Sequence, residues 1–413
     1  VPQGLPVTQI GDAELQKVLI FSILLIAGLA GSQFMPLLGE TQQTASTLIR
    51  LLTMFLLAFI MIHVGYEFEI DRSRLRTYGF DYLVAATAAA FPWIFCAVYF
   101  VYALYPAGSL GDLDVWKESL LASRFAAPTS AGVLFSMLAA AGLSATWYFR
   151  KIRILAIFDD LDTVLLMIPL KMLIVGVRWQ LVVVVCVMAI LLWFAWTYLH
   201  RFRIPVTWRW VLTYAAGITV VSEVIYIASK LIDDVVPIHI EVLLPAFVLG
   251  AMMARPTGHD PHTDDARDGH QEGPENPGEQ RVSTIISGVF MVLVGLSMPV
   301  LGGQPSLMGD GGYSTIIWHV LIVTILANLG KMFPLFCYRR EAHWRERLAI
   351  GIGMWPRGEV GAGVLVISLG YGISGGIVAV AALSLALNLF LTGLFIVIVK
   401  ALLNRPGAVV KAA

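Results

Sequence analysis

The chain has little charge and little cysteine. Only 14% of its 413 residues are Asp, Glu, Lys or Arg, and acids and bases cancel to a formal net charge of zero. No block of like charge is long enough to form a binding tail, so a nucleic-acid partner is excluded. Three cysteines, Cys96, Cys186 and Cys337, fall in or at the end of apolar segments without metal-type spacing. They read as small apolar packing residues. The first fifteen residues lack a basic stretch followed by a short apolar core and cleavage site, so no removable signal peptide is expected and the first apolar segment should insert permanently. No glycine-rich nucleotide motif follows the last apolar run, so no appended ligand-sensing domain is expected.

Hydrophobic residues are abundant instead, at 58% of the chain. Apolar runs near 16–37, 46–66, 79–104, 118–140, 153–175, 179–199, 208–230, 236–253, 282–301, 313–337, 347–369 and 374–402 are each about the length that crosses a bilayer. The expected fold is an all-α polytopic membrane protein of about twelve transmembrane helices. Basic residues give an independent check, because they concentrate in cytoplasmic loops. Loops after the even-numbered runs carry sixteen, among them Arg72, Arg150, Arg201, Arg255 and Arg339, whereas the other loops carry only Arg50, Lys117, Arg178 and Lys230. Both termini are therefore expected in the cytoplasm. The longest hydrophilic stretch, Ala254 to Arg281, is rich in Gly, Pro, acid and His and has no helical or strand period, so a flexible cytoplasmic connection is expected there. Its His259, His262 and His270 read as solvated rather than metal-binding, because their spacing is irregular.

Ionisable residues inside apolar runs are costly and mark ion pathways. The fifth run, "LAIFDDLDTVLLMIPLKML", holds Asp159, Asp160 and Asp162. On a helix Asp159 and Asp162 lie about 60° apart, while Asp160 points about 100° away from Asp159. One face can meet a partner while Asp160 faces a cavity. Adjacent carboxylates inside a span are hard to keep ionised without water or a cation, so a cation or proton site is expected. Lys331 lies about 9 Å from the end of the tenth run and Asp159 about 9 Å from the start of the fifth, which makes Asp159 the expected partner of this lysine. Lys171, nearer the opposite membrane face, reads as a snorkelling interfacial residue.

Two runs are interrupted. The fourth contains Pro128, Thr129 and Ser130 in "FAAPTSAG", where proline removes a backbone donor and nearby hydroxyls can satisfy the freed carbonyl. The eleventh contains "GIGMWPRGEVGAG", in which Pro356 sits among five glycines and Arg357 and Glu359 are expected to pair with each other. Paired interruptions at positions four and eleven of twelve suggest inverted repeats, about 16–175 and 236–402, with two broken crossing helices and an ion site between them in a single transporter domain covering 1–413.

With these features together the chain resembles the monovalent cation:proton antiporter superfamily over nearly its whole length. "ILAIFDDLD" is similar to the Asp-Asp signature of electrogenic sodium/proton antiporters, and "GIGMWPRGEVGAG" to the broken-helix sequence; "FVLGAMMA" and "FMVLVGLSMP" are similar but weaker. The resemblance implies that Asp160 binds cation or proton directly, that Asp159 pairs with Lys331, and that Thr129 and Ser130 line the break. It implies a secondary active antiporter, not an enzyme, exchanging sodium or lithium for protons electrogenically without a cofactor. A homodimer in a bacterial inner membrane is expected, with spans three to five and ten to twelve rocking against a scaffold. A potassium/proton antiporter and a sodium-coupled organic-anion symporter of the same fold are the alternatives. Asp162 is an acid beyond the signature, "APTSAG" is only loosely like the family's version, and the acidic loop after the eighth run is unusual.

Overall fold

Backbone N–H and C=O groups in a hydrocarbon layer must be satisfied within their own segment, which leaves long apolar runs the helix as their solution. The computed structural model describes residues 7–67, 75–106, 109–130, 134, 138, 143, 146–175, 179–232, 242–254, 277–298, 313–373 and 375–403. The helices are α1 (Val7–Ser32), α2 (Gln42–Glu67), α3 (Leu75–Ala103), α4 (Leu113–Ser123), α5 (Trp147–Leu165), α6 (Met167–Val175), α7 (Trp179–Thr197), α8 (Trp208–Ile232), α9 (Leu243–Met252), α10 (Pro277–Leu296), α11 (Tyr313–Gly330), α12 (Trp344–Gly353), α13 (Glu359–Leu369) and α14 (Gly376–Leu403). Among the described residues the only β pairing is a single bridge between Phe202 and Met253. The protein is an all-α polytopic membrane protein, and each of the twelve apolar runs overlaps helix.

Among the described residues six stretches are long and apolar enough to cross a membrane by length and composition: Met35–Tyr66, Tyr78–Ala103, Trp208–Ser229, Gly278–Leu296, Ser314–Phe336 and Gly376–Leu403. The other six runs fall short of that standard, and three of them, the fourth, fifth and eleventh, are broken. The fifth is divided at Leu166, between α5 and α6, because Pro169 has no N–H to offer the carbonyl four residues earlier.

Several boundaries differ from the sequence reading. The first helix runs from Val7 to Ser32 rather than over 16–37, and a short 3₁₀ segment, Met35–Thr41, with proline in its first turn follows it. The hydrophilic connection ends earlier than Arg281. Helix α10 already begins at Pro277, with proline at the helix start and Glu279 in the first turn, both of which suit the exposed N–H groups and positive end of a helix. Residues 255–276, with the three loop histidines, lie outside the described residues.

The chain divides into two compact units, Val1–Arg50 with Asp71–Leu170 and Met291–Ala413, and Leu51–Ile70 with Lys171–Phe290. In the first, α3 packs on α4, α5 and α11, and α14 packs on α1, α11 and α12. The described parts of the third, fourth and tenth to twelfth runs belong to this unit, as does the fifth run up to Leu170. In the second, α9 packs on α7 and crosses α2 so closely that a Cβ on Gly65 would overlap the Phe247 carbonyl and one on Gly250 the Ile62 carbonyl. Small residues at such a crossing let two backbones touch where lipid provides no hydrophobic drive.

Candidate ion-binding site

Helix α5 carries its three acids into the interior of the first unit. Asp159 and Asp160 are fully buried and Asp162 is 5% exposed. Lys331 sits in the turn just after α11 and is also fully buried, so it does not snorkel. Its Nζ lies 2.6 Å from both carboxylate oxygens of Asp159 and also donates to the Ala127 carbonyl. Asp160 is close enough for its charge to act on Lys331. Asp162 takes a different partner, since Tyr82 of α3 donates to its Oδ1 at 3.1 Å. The 60° between Asp159 and Asp162 is thus enough to aim them at different helices.

The two interruptions meet. Arg124–Ala126 forms a single 3₁₀ turn after α4, and the chain then leaves helical geometry through Pro128. Ser130 N donates to the Pro356 carbonyl at 2.9 Å, and the Thr129 hydroxyl donates to the Met354 carbonyl at 3.0 Å. The sequence reading had these hydroxyls serving their own break. Thr129 serves the opposite one, because the end of α12 presents carbonyls that have no intrahelical donor.

Arg357 serves the breaks themselves. Its five N–H groups make five contacts: Nε and Nη2 to Ala126 O at 3.2 and 2.9 Å, Nη2 to Ala327 O at 2.9 Å, and Nη1 to Asn328 Oδ1 and Trp355 O at 2.9 and 2.8 Å. The side chain of Glu359, the partner expected from the sequence, lies outside the described residues. Carbonyls freed at a break carry the negative end of a helix dipole, and a guanidinium fork satisfies several at once. Lys331 on Ala127 O and Arg357 on Ala126 O, Ala327 O and Trp355 O therefore neutralise both breaks.

Reading the sequence alone missed Asn328 and Asn388. Asn388 of α14 donates to Asn328 Oδ1 at 2.8 Å; with its amide turned over it would instead donate to Trp355 O at 2.7 Å and accept from Arg357 Nη1. The signal was present, because an amide inside a span as apolar as α14 needs a partner. Of the other ionisable residues within apolar runs, Arg124 is buried and donates to Thr163 O at 3.4 Å. Glu223 lies half-buried on α8 of the second unit, and the side chains of Lys171 and Glu241 lie outside the described residues.

Helix α12 approaches α5 so closely at Gly353 that a Cβ there would overlap Tyr148 Oη and Ile152 Cδ1, both buried. Tyr148 is already committed, donating to Ala349 O at 3.2 Å. Gly353→Ala is expected to destabilise the protein by about 1–3 kcal/mol, as overpacking does. The readout is the thermal midpoint in detergent, and an unchanged midpoint would mean that α5 and α12 separate freely.

Buried acids beside two neutralised helix breaks can take up and release a small cation or a proton. Comparison with curated proteins gives no match. A family model described as "Sodium/hydrogen exchanger, transmembrane" matches residues 10–405, which takes in α5, both breaks and Lys331. Members of that family are cation/proton antiporters and not enzymes, and the chain belongs to the transmembrane sodium/hydrogen exchanger family.

Proposed function

We propose that the protein exchanges sodium, or lithium, for protons and that the exchange is electrogenic. The observation that carries this reading is Asp160, fully buried next to an Asp159 that Lys331 already holds. Lys331 already matches the charge of Asp159, and this reading assigns the uptake of a cation or a proton to the fully buried carboxylate of Asp160 beside it. Thr129, whose hydroxyl is near enough to act on Asp159, and Ser130, at the meeting of the two breaks, are the further oxygen ligands in this reading. Cation and proton compete for one carboxylate: at high cytoplasmic pH the acid is ionised and takes sodium, and protons from the outer face displace it. An organic anion would be repelled by the same acids, which disfavours the symporter.

In this reading the two breaks belong to inverted repeats over about 16–175 and 236–402, and the third to fifth and tenth to twelfth spans move against the remainder. The loop charges support termini in the cytoplasm. Helix α8 keeps Val220, Val221, Val224, Ile227 and Leu231 exposed, which suits lipid or a second copy in a homodimer.

The test is the collapse of an imposed pH gradient in proteoliposomes on adding sodium, lithium or potassium chloride, with the membrane potential clamped and then free. Sodium or lithium should dissipate the gradient, at a rate that depends on the potential. Its apparent KM for sodium should fall as pH rises, since protons compete. A response to potassium alone would replace the sodium reading, and a rate indifferent to potential would remove electrogenicity.

A further inference from the structure

A second buried ion pair lies in the same unit and has no part in the exchange just described. Lys151 Nζ donates to both oxygens of Asp81 at 3.0 and 3.1 Å, and the Tyr338 hydroxyl donates to Asp81 Oδ1 at 2.7 Å. Asp81 is 1% exposed, Tyr338 4% and Lys151 6%. The lysine also stands 4.6 Å from the centre of the Tyr338 ring and 3.6 Å from the more exposed Glu341 carboxylate. The cluster therefore ties together α3, α5 and the turn that follows α11.

Tyr338 holds an unusual backbone conformation to do this. Its φ is 51°, and the only other non-glycine residue with positive φ among the described residues is His200. Glycine or asparagine would adopt this geometry more cheaply, so a tyrosine is held there by what its side chain reaches. Its ring packs edge-on against Phe80 and Trp147, with centroids 5.6 and 6.4 Å away. Burial first, and then the Asp81 carboxylate, pushes the phenol's pKa up, which keeps it a donor.

The position of this cluster along the chain gives it a use. Lys151 precedes Asp159 by eight residues on α5, about 12 Å along the helix. Tyr338 follows Lys331 by seven residues, with the short 3₁₀ turn Phe333–Phe336 between them. The same two segments are thus joined twice, by Asp159–Lys331 and by Lys151–Asp81–Tyr338. If Asp160 exchanges ions as proposed, the charge next to the first link changes in every cycle, while Lys151 of the second link lies about 14 Å along α5 from that change.

Resting on that reading, we propose that Asp81, Lys151 and Tyr338 are positioning residues that fix the register of α5 against the segment carrying Lys331, so that the lysine stays seated on Asp159 while Asp160 loads and unloads. They touch neither cation nor transported proton. Side chains that only hold a site in place still matter, because small displacements weaken a preorganised ligand set.

Lys151→Met alone would leave Asp81 buried without its cation and could simply prevent folding, so the test uses Tyr338→Phe and the neutral double variant Asp81→Asn with Lys151→Met. Each should raise the apparent KM for sodium about tenfold while Vmax stays within about twofold, the mark of a misplaced site rather than a lost one. Amide hydrogen exchange, followed by mass spectrometry, should quicken at 159–163 and stay unchanged across α14. An unchanged KM together with unchanged exchange at 159–163 in both variants would overturn the proposal and leave the cluster a role in folding only. Absence of any sodium-dependent exchange in the wild type would remove the transport reading, and the amide measurement would then decide the register question by itself.

Discussion

Asp160→Asn is expected to abolish cation/proton exchange in proteoliposomes, to below about one hundredth of the wild-type rate, because the amide cannot take up and release the proton that the mechanism exchanges. Asparagine has nearly the volume of aspartate, and Asp160 is fully buried, so packing around α5 should be retained. The variant should fold, with a thermal midpoint in detergent close to that of the wild type. That combination separates loss of the ion ligand from loss of the fold. Substantial exchange by Asp160→Asn would move the site to another acid, with Asp162 the first to try by the same substitution. Loss of exchange together with aggregation would instead make Asp160 a structural residue, and would leave the ion ligand to be found elsewhere.

Much of this site could be read along the chain, because charge in an apolar span is conspicuous. Asp159 and Lys331 were matched from depth alone, about 9 Å into their respective runs. The breaks at Pro128 and Pro356 were legible for a similar local reason, since proline leaves a carbonyl without its donor. What escaped was partnership across the bundle. Nearness in sequence suggested Glu359 for Arg357, and the Glu359 side chain lies outside the described residues. The contacts of the guanidinium with Ala126, Ala327, Asn328 and Trp355 were not foreseen, because they arise where the carbonyls of two helix ends converge. No one-dimensional pattern carries that convergence. Asp81, Lys151 and Tyr338 were missed because each stands at the edge of an apolar run, where charge and phenol are ordinary. Burial, which only the fold reveals, is what makes them unusual.

The Asp159–Lys331 pair predicts the largest change in stability. Lys331→Ala should lower stability by about 3–5 kcal/mol, the usual loss when one member of a buried ion pair is removed. The cost has two sources in this protein. Asp159 would keep a charge with no ammonium beside it, and the Ala127 carbonyl at the fourth-span break would lose the donor it now has. The two can be separated by adding Asp159→Asn to Lys331→Ala. The double variant no longer buries an uncompensated carboxylate, so it should recover a large part of the lost thermal midpoint, with the unrecovered part belonging to the Ala127 carbonyl and to the cavity left by the lysine side chain. Such a cycle measures the coupling of the two residues directly. If Lys331→Ala melts as the wild type does, water or a solution cation has replaced the ammonium and the pair contributes nothing to the fold. Midpoints measured across a series of sodium concentrations would then identify the replacement, because a stabilising cation raises the midpoint by mass action and water does not.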